Sequence, residues 1–193
     1  GPLSVPMHAP TSGTISAIEH RPIAHSSGML APCIEITSDG RDKWKKHEGF
    51  EDVENATAAA LVKAIGEAGI AGMGGAGFPT SIKLNTRDDL SIDTLILNAT
   101  ECEPYITADD TLMQVDAAGI VEGAQILAHI LGVEEILLAV EDNKPAALDA
   151  MQKAAKARGG DCNVMTFPTK YPSGGEKQLI EILTGKQVPT GGL

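Results

Sequence analysis

A glycine-rich loop at residues 72–77 is the feature of this sequence that most suggests binding chemistry. Four of its six residues are glycine, and Phe78-Pro79-Thr80 follows. Glycine adds no side chain to a core and loses entropy on ordering, so such a run is kept where φ is positive or where a ligand contacts the main chain. The usual ligand is a planar ring or a phosphate. We predict a ligand-facing loop rather than a flexible linker, because the loop also contains Met and Ala.

The same loop contains the spacing G-x-G-x-x-G at Gly72, Gly74 and Gly77. In dinucleotide-binding proteins this spacing stands between a strand and a helix. Here the preceding residues 56–69 predict a helix instead, with an apolar stripe and with Gly69 at its end. The loop therefore predicts a nucleotide site of another kind.

Three further polar segments are predicted to lie at one edge of the sheet. Residues 98–104 and 141–144 each follow a predicted strand, and residues 169–177 connect a strand to a helix. Ligands of open α/β sheets bind outside the carboxyl ends of the strands, where these segments must lie. Gly174-Gly175 also places free N–H groups at a helix start, which attracts an anion. The first and third segments can meet the glycine loop around one ligand.

The elements that position these segments alternate between strand and helix. Strands are predicted at residues 94–97, 135–140 and 163–167, and helices at residues 56–69, 112–131, 145–158 and 176–183. Gly132 and Gly185 follow two of these helices as stop signals. Such alternation implies a parallel sheet with helices on its faces. We predict an α/β, Rossmann-like domain over residues 51–193.

Residues 5–50 predict a small β unit and a polar linker. Short alternating strands lie around residues 14–18 and 34–36, and residues 5–15 resemble one half of the barrel-sandwich fold of biotinyl and lipoyl carriers. Those carriers bear the cofactor on a lysine, and no lysine precedes Lys43, so we predict a non-carrier barrel half. Residues 1–4 resemble the remnant of a removed purification tag and are left out of the fold prediction.

Composition argues against several classes of function. A formal net charge of −11 disfavours nucleic acid and an electrostatic anchor on anionic lipid. No apolar run is long enough to cross a bilayer. The cysteines form no C-x-x-C pair, so neither an iron–sulfur cluster nor a structural zinc is predicted in the chain. The N-terminal histidines match no compact metal-binding spacing, and no metal site is predicted.

Three motifs that occur in a fixed order carry a resemblance to a known family. Residues 72–83 read GMGGAGFPTSIK, residues 98–104 read NATECEP and residues 171–179 read YPSGGEKQL. Over residues 5–193, the chain resembles the RnfC (RsxC) family, whose members are subunits of the Rnf electron transport complexes. More distantly, the chain is similar to the NADH-oxidising flavoprotein subunit of respiratory complex I, which shares the glycine loop and the Asn…Glu-x-Glu-Pro turn.

This resemblance implies an FMN site over which NADH stacks. The residues carried over to the flavin are Gly72, Gly74, Gly75, Gly77, Lys83, Asn98, Glu101, Tyr171, Gly175 and Glu176. Phe78, Glu103 and Lys177 would face NADH, and no catalytic residue is assigned. The chain departs from the complex I pattern at Thr100, where the relative has an acidic residue, and at Met73, which replaces an arginine.

The implied function is electron input to a membrane-bound NADH:ferredoxin oxidoreductase, from NADH through FMN to iron–sulfur clusters. The family carries its 4Fe-4S clusters beyond the region matched here. Its partners are the other Rnf subunits and ferredoxin, and its place is the cytoplasmic face of the bacterial inner membrane, without insertion. A non-catalytic docking module without flavin is the alternative. We expect the chain to be an N-terminal piece that binds FMN weakly or not at all and is inactive alone.

Overall fold

A computed structural model describes residues 3–46, 49–73, 77–85, 91–159 and 162–190. The strands are β1 (Gly13–Pro22), β2 (Leu30–Ser38), β3 (Thr94–Ala99), β4 (Glu135–Glu141) and β5 (Cys162–Phe167). The helices are α1 (Ala58–Glu67), α2 (Thr80–Lys83), α3 (Ala108–Leu131), α4 (Pro145–Arg158) and α5 (Glu176–Thr184). Among the described residues, no helix combines the length and the hydrophobicity needed to cross a bilayer.

The second half of the chain builds a three-stranded parallel sheet in the order β3-β4-β5. Strand β4 is central and is buried from Ile136 to Glu141. A continuous apolar run is what a strand covered on both faces requires. The predicted α/β class with a parallel sheet is therefore confirmed.

Helices cover both faces of this sheet. Leu138 and Val140 of β4 pack in the cluster that includes residues of α3 and α4. Ala139 points the other way and packs with Phe167 and Leu179 of the α5 side. This alternation follows from the two-residue period of a strand. The last residue of β4, Glu141, therefore belongs to the α5 side.

The first half contributes an antiparallel hairpin. Strand β1 pairs with β2 from Gly13 opposite Ser38 to Pro22 opposite Leu30, with a bulge near Ala17. Both strands are longer than predicted. Their side chains are largely exposed. The proposed boundary at residue 50 stays a prediction.

Residues 6–8 fasten the N-terminal segment to the end of α1. His8 Nε2 lies 2.9 Å from the Ala68 carbonyl oxygen. Gly69 has φ +74, and a Cβ built there would clash with the Pro6 carbonyl oxygen. Only glycine therefore fits at this crossing. Gly69, which was predicted to end this helix, is therefore also needed for the close contact with Pro6.

The predicted glycine stop signals agree with the structure, whereas both ends of α1 and the start of α3 differ from the prediction by more than one residue. Gly132 and Gly185, both left-handed, end α3 and α5, and Thr57 caps α1 by accepting from the Ala60 N–H. Helix α1 is two residues shorter than predicted at each end. Helix α3 begins at Ala108 rather than at residue 112, because a distant carboxylate caps it, as described below. The single turn α2 was not predicted.

Replacing Leu138 by alanine should lower the free energy of unfolding by about 2–5 kcal/mol, because the side chain is fully buried and a cavity remains. Urea titration followed by circular dichroism measures this. Val115→Ala in α3 is the control, since that side chain is 74% exposed and its loss should change stability by no more than about 0.5 kcal/mol. Equal effects of the two substitutions would contradict the layer arrangement.

Candidate functional site

Two of the predicted segments meet at the carboxyl edge of the sheet. The Asn98 side-chain amide donates to the Gly174 carbonyl oxygen at 2.8 Å and accepts from the Thr100 N–H at 3.1 Å. A Cβ on Gly174 would lie 3.2 Å from Cys102 Sγ and 3.3 Å from the Thr100 carbonyl oxygen. Glycine thus allows the loops after β3 and β5 to approach closely. Asn98 keeps a second N–H and a second lone pair for a ligand.

The loop after β4 joins the same edge. Asp142 Oδ1 accepts from the N–H and from the hydroxyl of Thr169, each at 2.9 Å. These two bonds, the backbone one first, lower the pKa of Asp142. All three strand-end segments predicted to share an edge are therefore connected there by side-chain contacts.

Glu101 is the central residue of these connections. Its Oε1 accepts from the Asp109 N–H at 2.9 Å, its Oε2 accepts from the Asp110 N–H at 3.2 Å, and Lys144 Nζ lies 3.7 Å from Oε2. The Glu101 and Lys144 side chains are 2% and 10% exposed. Glu101 thus caps α3 and pairs with a cation from the next loop. Its assignment to the flavin stays a prediction, and the described contacts give it a positioning role.

The pKa of Asp109 reflects this environment. Burial, and then the charge of the Glu101 carboxylate, raise it, whereas Lys144 opposes the shift. A raised folded-state pKa means that the ionised Asp109 lowers stability at higher pH, and that this penalty is relieved as pH falls through the folded-state pKa. Lys144 therefore moderates the repulsion between two neighbouring carboxylates.

Three buried polar side chains at this edge have no hydrogen-bond partner within the described part of the chain. They are Thr100 after β3, Glu141 at the end of β4 and Ser173 in the loop after β5, with exposures of 9%, 0% and 6%. Each unsatisfied buried group costs about 1–3 kcal/mol. Their location at the ends of three adjacent strands indicates a polar region that a ligand or ordered water completes.

Glu141 and Ser173 lie within the polar segments predicted at this edge, but neither is predicted as a ligand contact. The sequence feature that could have identified Glu141 is its place as a carboxylate directly after the apolar run Ile136 to Val140. Such a residue usually begins a loop and faces solvent.

The N-terminus of α5 offers a site for an anion. Gly175 precedes the helix, and no side chain caps it. The first N–H groups of such a helix are free and carry partial positive charge. Tyr171, Glu176 and Lys177 lie nearby in sequence and are exposed, so they are accessible to a ligand at this edge.

The glycine loop is closed by its own backbone. The Gly72 N–H donates to the Phe78 carbonyl oxygen at 2.8 Å, and Gly77 has φ +60. Lys83 Nζ lies 6.0 Å from the centre of the Phe78 ring, at the outer limit of a cation–π contact. The predicted flavin residues Gly74 and Gly75 lie outside the described residues.

Among the described residues, no hydrogen bond or ion pair joins the glycine loop to the strand-end segments. The predicted convergence of the glycine loop with residues 98–103 and 170–176 therefore stays a prediction. Glu103, assigned to NADH, is exposed. Within the described ranges, no group of three or more His, Cys, Asp or Glu residues could hold a metal ion.

Replacing Lys144 by methionine should destabilise the chain by about 3 kcal/mol, because it leaves the buried Glu101 carboxylate without its cation. The two N–H groups that still bond Glu101 keep the loss at the low end of the expected range. In a double-mutant cycle with Glu101→Gln, the second substitution should recover part of the loss. Additive effects, measured by urea titration, would show that the two side chains do not interact.

Replacing Glu141 by leucine should stabilise the ligand-free chain by about 1–3 kcal/mol, because it removes unsatisfied buried oxygens at similar volume. Glu141→Gln is the matched control, since it retains buried polar atoms and should change stability much less. Thermal unfolding compares the three proteins. A marked loss of stability in the leucine variant would mean that Glu141 already has a partner in the folded chain.

Comparison with known proteins identifies two families along the chain. Residues 65–193 match the Nuo51 FMN-binding domain, and residues 1–41 match the RnfC barrel sandwich hybrid domain. Two relatives, from Salmonella gallinarum and Salmonella dublin, each bear the name of the C subunit of an ion-translocating oxidoreductase complex. Both are 54% identical over 97% of this chain, which spans 28% and 26% of their respective lengths.

Two solved structures share the architecture. They are crystal structures of NAD+-reducing NiFe hydrogenase in the H2-reduced and air-oxidised states, with TM-scores of 0.62 and 0.60 and identities of 26% and 28%. The similarity covers 72% and 69% of this chain, and 26% and 25% of the hydrogenase chains. By its matched domains and its fold, the chain belongs to the Nuo51 FMN-binding domain family, preceded by a segment of the RnfC barrel sandwich hybrid type.

Proposed function

We propose that this chain is the flavin-binding part of an electron-input subunit of an ion-translocating oxidoreductase. The observation that carries the proposal is the match of residues 65–193 to an FMN-binding domain, together with unsatisfied buried polar groups at the sheet edge. The chemistry that FMN supplies when bound is two-electron uptake from a reduced nicotinamide and one-electron release to iron–sulfur clusters.

The residues present fit FMN. The uncapped N-terminus of α5 suits a phosphate, and Lys83, close to the glycine loop, can pair with the negative charge of a phosphate. Gly72 and Gly77 allow a ring to approach the backbone. Hydroxyl groups of Thr100 and Ser173 can donate, and Glu141 can only accept while ionised. Such a set of donors and acceptors suits the polar edge of a flavin.

The roles of the remaining residues follow from their positions. Asn98 holds the loops after β3 and β5 together, and it orients the surface that carries Tyr171, Gly175 and Glu176. Glu101, already bonded, fixes the loop from the inside. We assign Phe78, Glu103 and Lys177 to the nicotinamide nucleotide, since all three are exposed and can contact a second, stacked ligand.

The proposed function also involves an electron donor, electron acceptors and partner proteins. NADH is the proposed reductant, and 4Fe-4S clusters carried outside this chain are the proposed acceptors. Ferredoxin and the other Rnf subunits are proposed partners, at the cytoplasmic face of the bacterial inner membrane. The names of the Salmonella relatives support membership of an ion-translocating complex, and the NAD+-reducing hydrogenases support nicotinamide as the electron partner.

Titration of FMN into this chain, followed by flavin fluorescence, should give weak binding, with a dissociation constant above about 1 μM. The chain spans 28% and 26% of the lengths of its two Salmonella relatives, and we propose that residues of the longer protein add hydrogen bonds to the flavin. Each charge-assisted hydrogen bond recovered by extending the chain should tighten binding by roughly 10- to 100-fold. Submicromolar binding by residues 1–193 would show that these residues already complete the site.

Lys83→Met in the extended protein separates the phosphate from the ring. If Lys83 binds the phosphate, the substitution should weaken FMN about tenfold or more and leave riboflavin nearly unchanged. Lys153→Met is the control, an exposed lysine on α4. Equal loss of both flavins would refute a phosphate role. If neither form of the protein binds FMN, the non-catalytic docking module replaces the proposed function.

A further inference from the structure

A positively charged groove lies in the N-terminal part of the chain. Its residues are separate in sequence from those at the carboxyl edge of the sheet. It is lined by residues 8–12 and 42–46 and encloses about 930 Å³. We refer to these ten residues as the basic groove. Neither the flavin assignment nor the nicotinamide assignment uses any of them.

Hydrogen bonds join one wall of the basic groove to the hairpin. The Ser12 hydroxyl donates to Asp39 Oδ1 at 2.7 Å and accepts from the Lys43 N–H at 2.9 Å. The Thr11 hydroxyl donates to Asp42 Oδ1 at 3.2 Å. The bond from Ser12, and then the Arg41 N–H, lower the pKa of Asp39. The segment that leads to Trp44 is therefore held in place at its start.

The charge of this segment is opposite to that of the chain. Residues 41–46 contain four cations and one carboxylate, whereas the whole chain has a formal net charge of −11. Asp42 is engaged by Thr11. Among the described residues, Lys43, Lys45 and Lys46 form no salt bridge. Their charge is thus available to an external group.

An apolar side chain accompanies these cations. The Trp44 side chain is 83% exposed, and Met7, next to the other wall, is 89% exposed. Exposed tryptophan is uncommon on a surface that contacts only water, and aromatic side chains with cations are enriched where proteins bind partners. The combination fits a ligand that is acidic and also carries an apolar side chain.

We propose that the basic groove binds an extended acidic segment of a partner protein, with Trp44 as its apolar anchor. A concave surface suits a peptide segment better than a flat bilayer. The remainder of the chain is strongly negative, so an anionic lipid surface would repel most of it. A discrete acidic segment meets the cations alone. This proposal is independent of flavin binding.

Binding can be followed by the fluorescence of Trp44, because it is the only tryptophan in the sequence. The probe is a synthetic 12-residue peptide of Glu and Asp with one central Leu, and the control peptide has Lys in place of every acidic residue. The acidic peptide should shift Trp44 emission to shorter wavelength and protect it from iodide quenching. Its affinity should fall as salt rises. The lysine peptide should have no effect.

The triple variant Lys43→Gln, Lys45→Gln, Lys46→Gln should weaken binding of the acidic peptide about tenfold or more, because each exposed charge pair is worth up to roughly fivefold. The matched control replaces Lys63, Lys153 and Lys156, three lysines outside the groove, with glutamine. Vesicles containing phosphatidylserine form the third arm. No response to the acidic peptide, an equal loss in both triple variants, or binding to vesicles alone would each overturn the proposal.

Discussion

The buried Glu101 carboxylate is the interaction on which the arrangement of the candidate site depends. It lies near the start of the loop after β3, it caps the first turn of α3, and it faces Lys144 from the loop after β4. A buried carboxylate is stable only when hydrogen bonds and a counter-charge compensate for lost hydration. Because Glu101 has both, it joins the loop after β3, the loop after β4 and the start of α3, and Asn98 joins the first of these loops to Gly174.

The same edge also contains groups that the protein does not satisfy. Thr100, Glu141 and Ser173 are buried without partners among the described residues, close in sequence to groups that are fully bonded. Folding alone would favour apolar residues at such positions. Polar residues kept there at a cost in stability are typical of a binding site, where the ligand provides the missing partners. Rigid support and unsatisfied groups thus occur together at this edge.

Local signals were enough to predict the α/β architecture. The apolar run of β4 and the glycines after α3 and α5 depend on short-range chemistry, and the structure places the elements within a few residues of the prediction. What sequence could not give depends on tertiary contacts. Helix α3 begins early because Glu101, seven residues before it, caps its first turn. The path of the glycine loop relative to the sheet is of the same kind.

The order of strands in the sheet matches their order along the chain, β3-β4-β5. Each strand pairs only with a strand that one helix separates from it in sequence, so every loop that closes during folding is of moderate length. Pairing Thr94 with Glu135 and Ile136 with Cys162 closes two loops of comparable length, and their entropy costs are similar because the cost of closure grows only with the logarithm of loop length. Within the described ranges, the hairpin pairs with no strand of this sheet. The parallel strands can therefore pair whether or not the hairpin has formed, and residues 6–8 are where the segment before the hairpin contacts the end of α1.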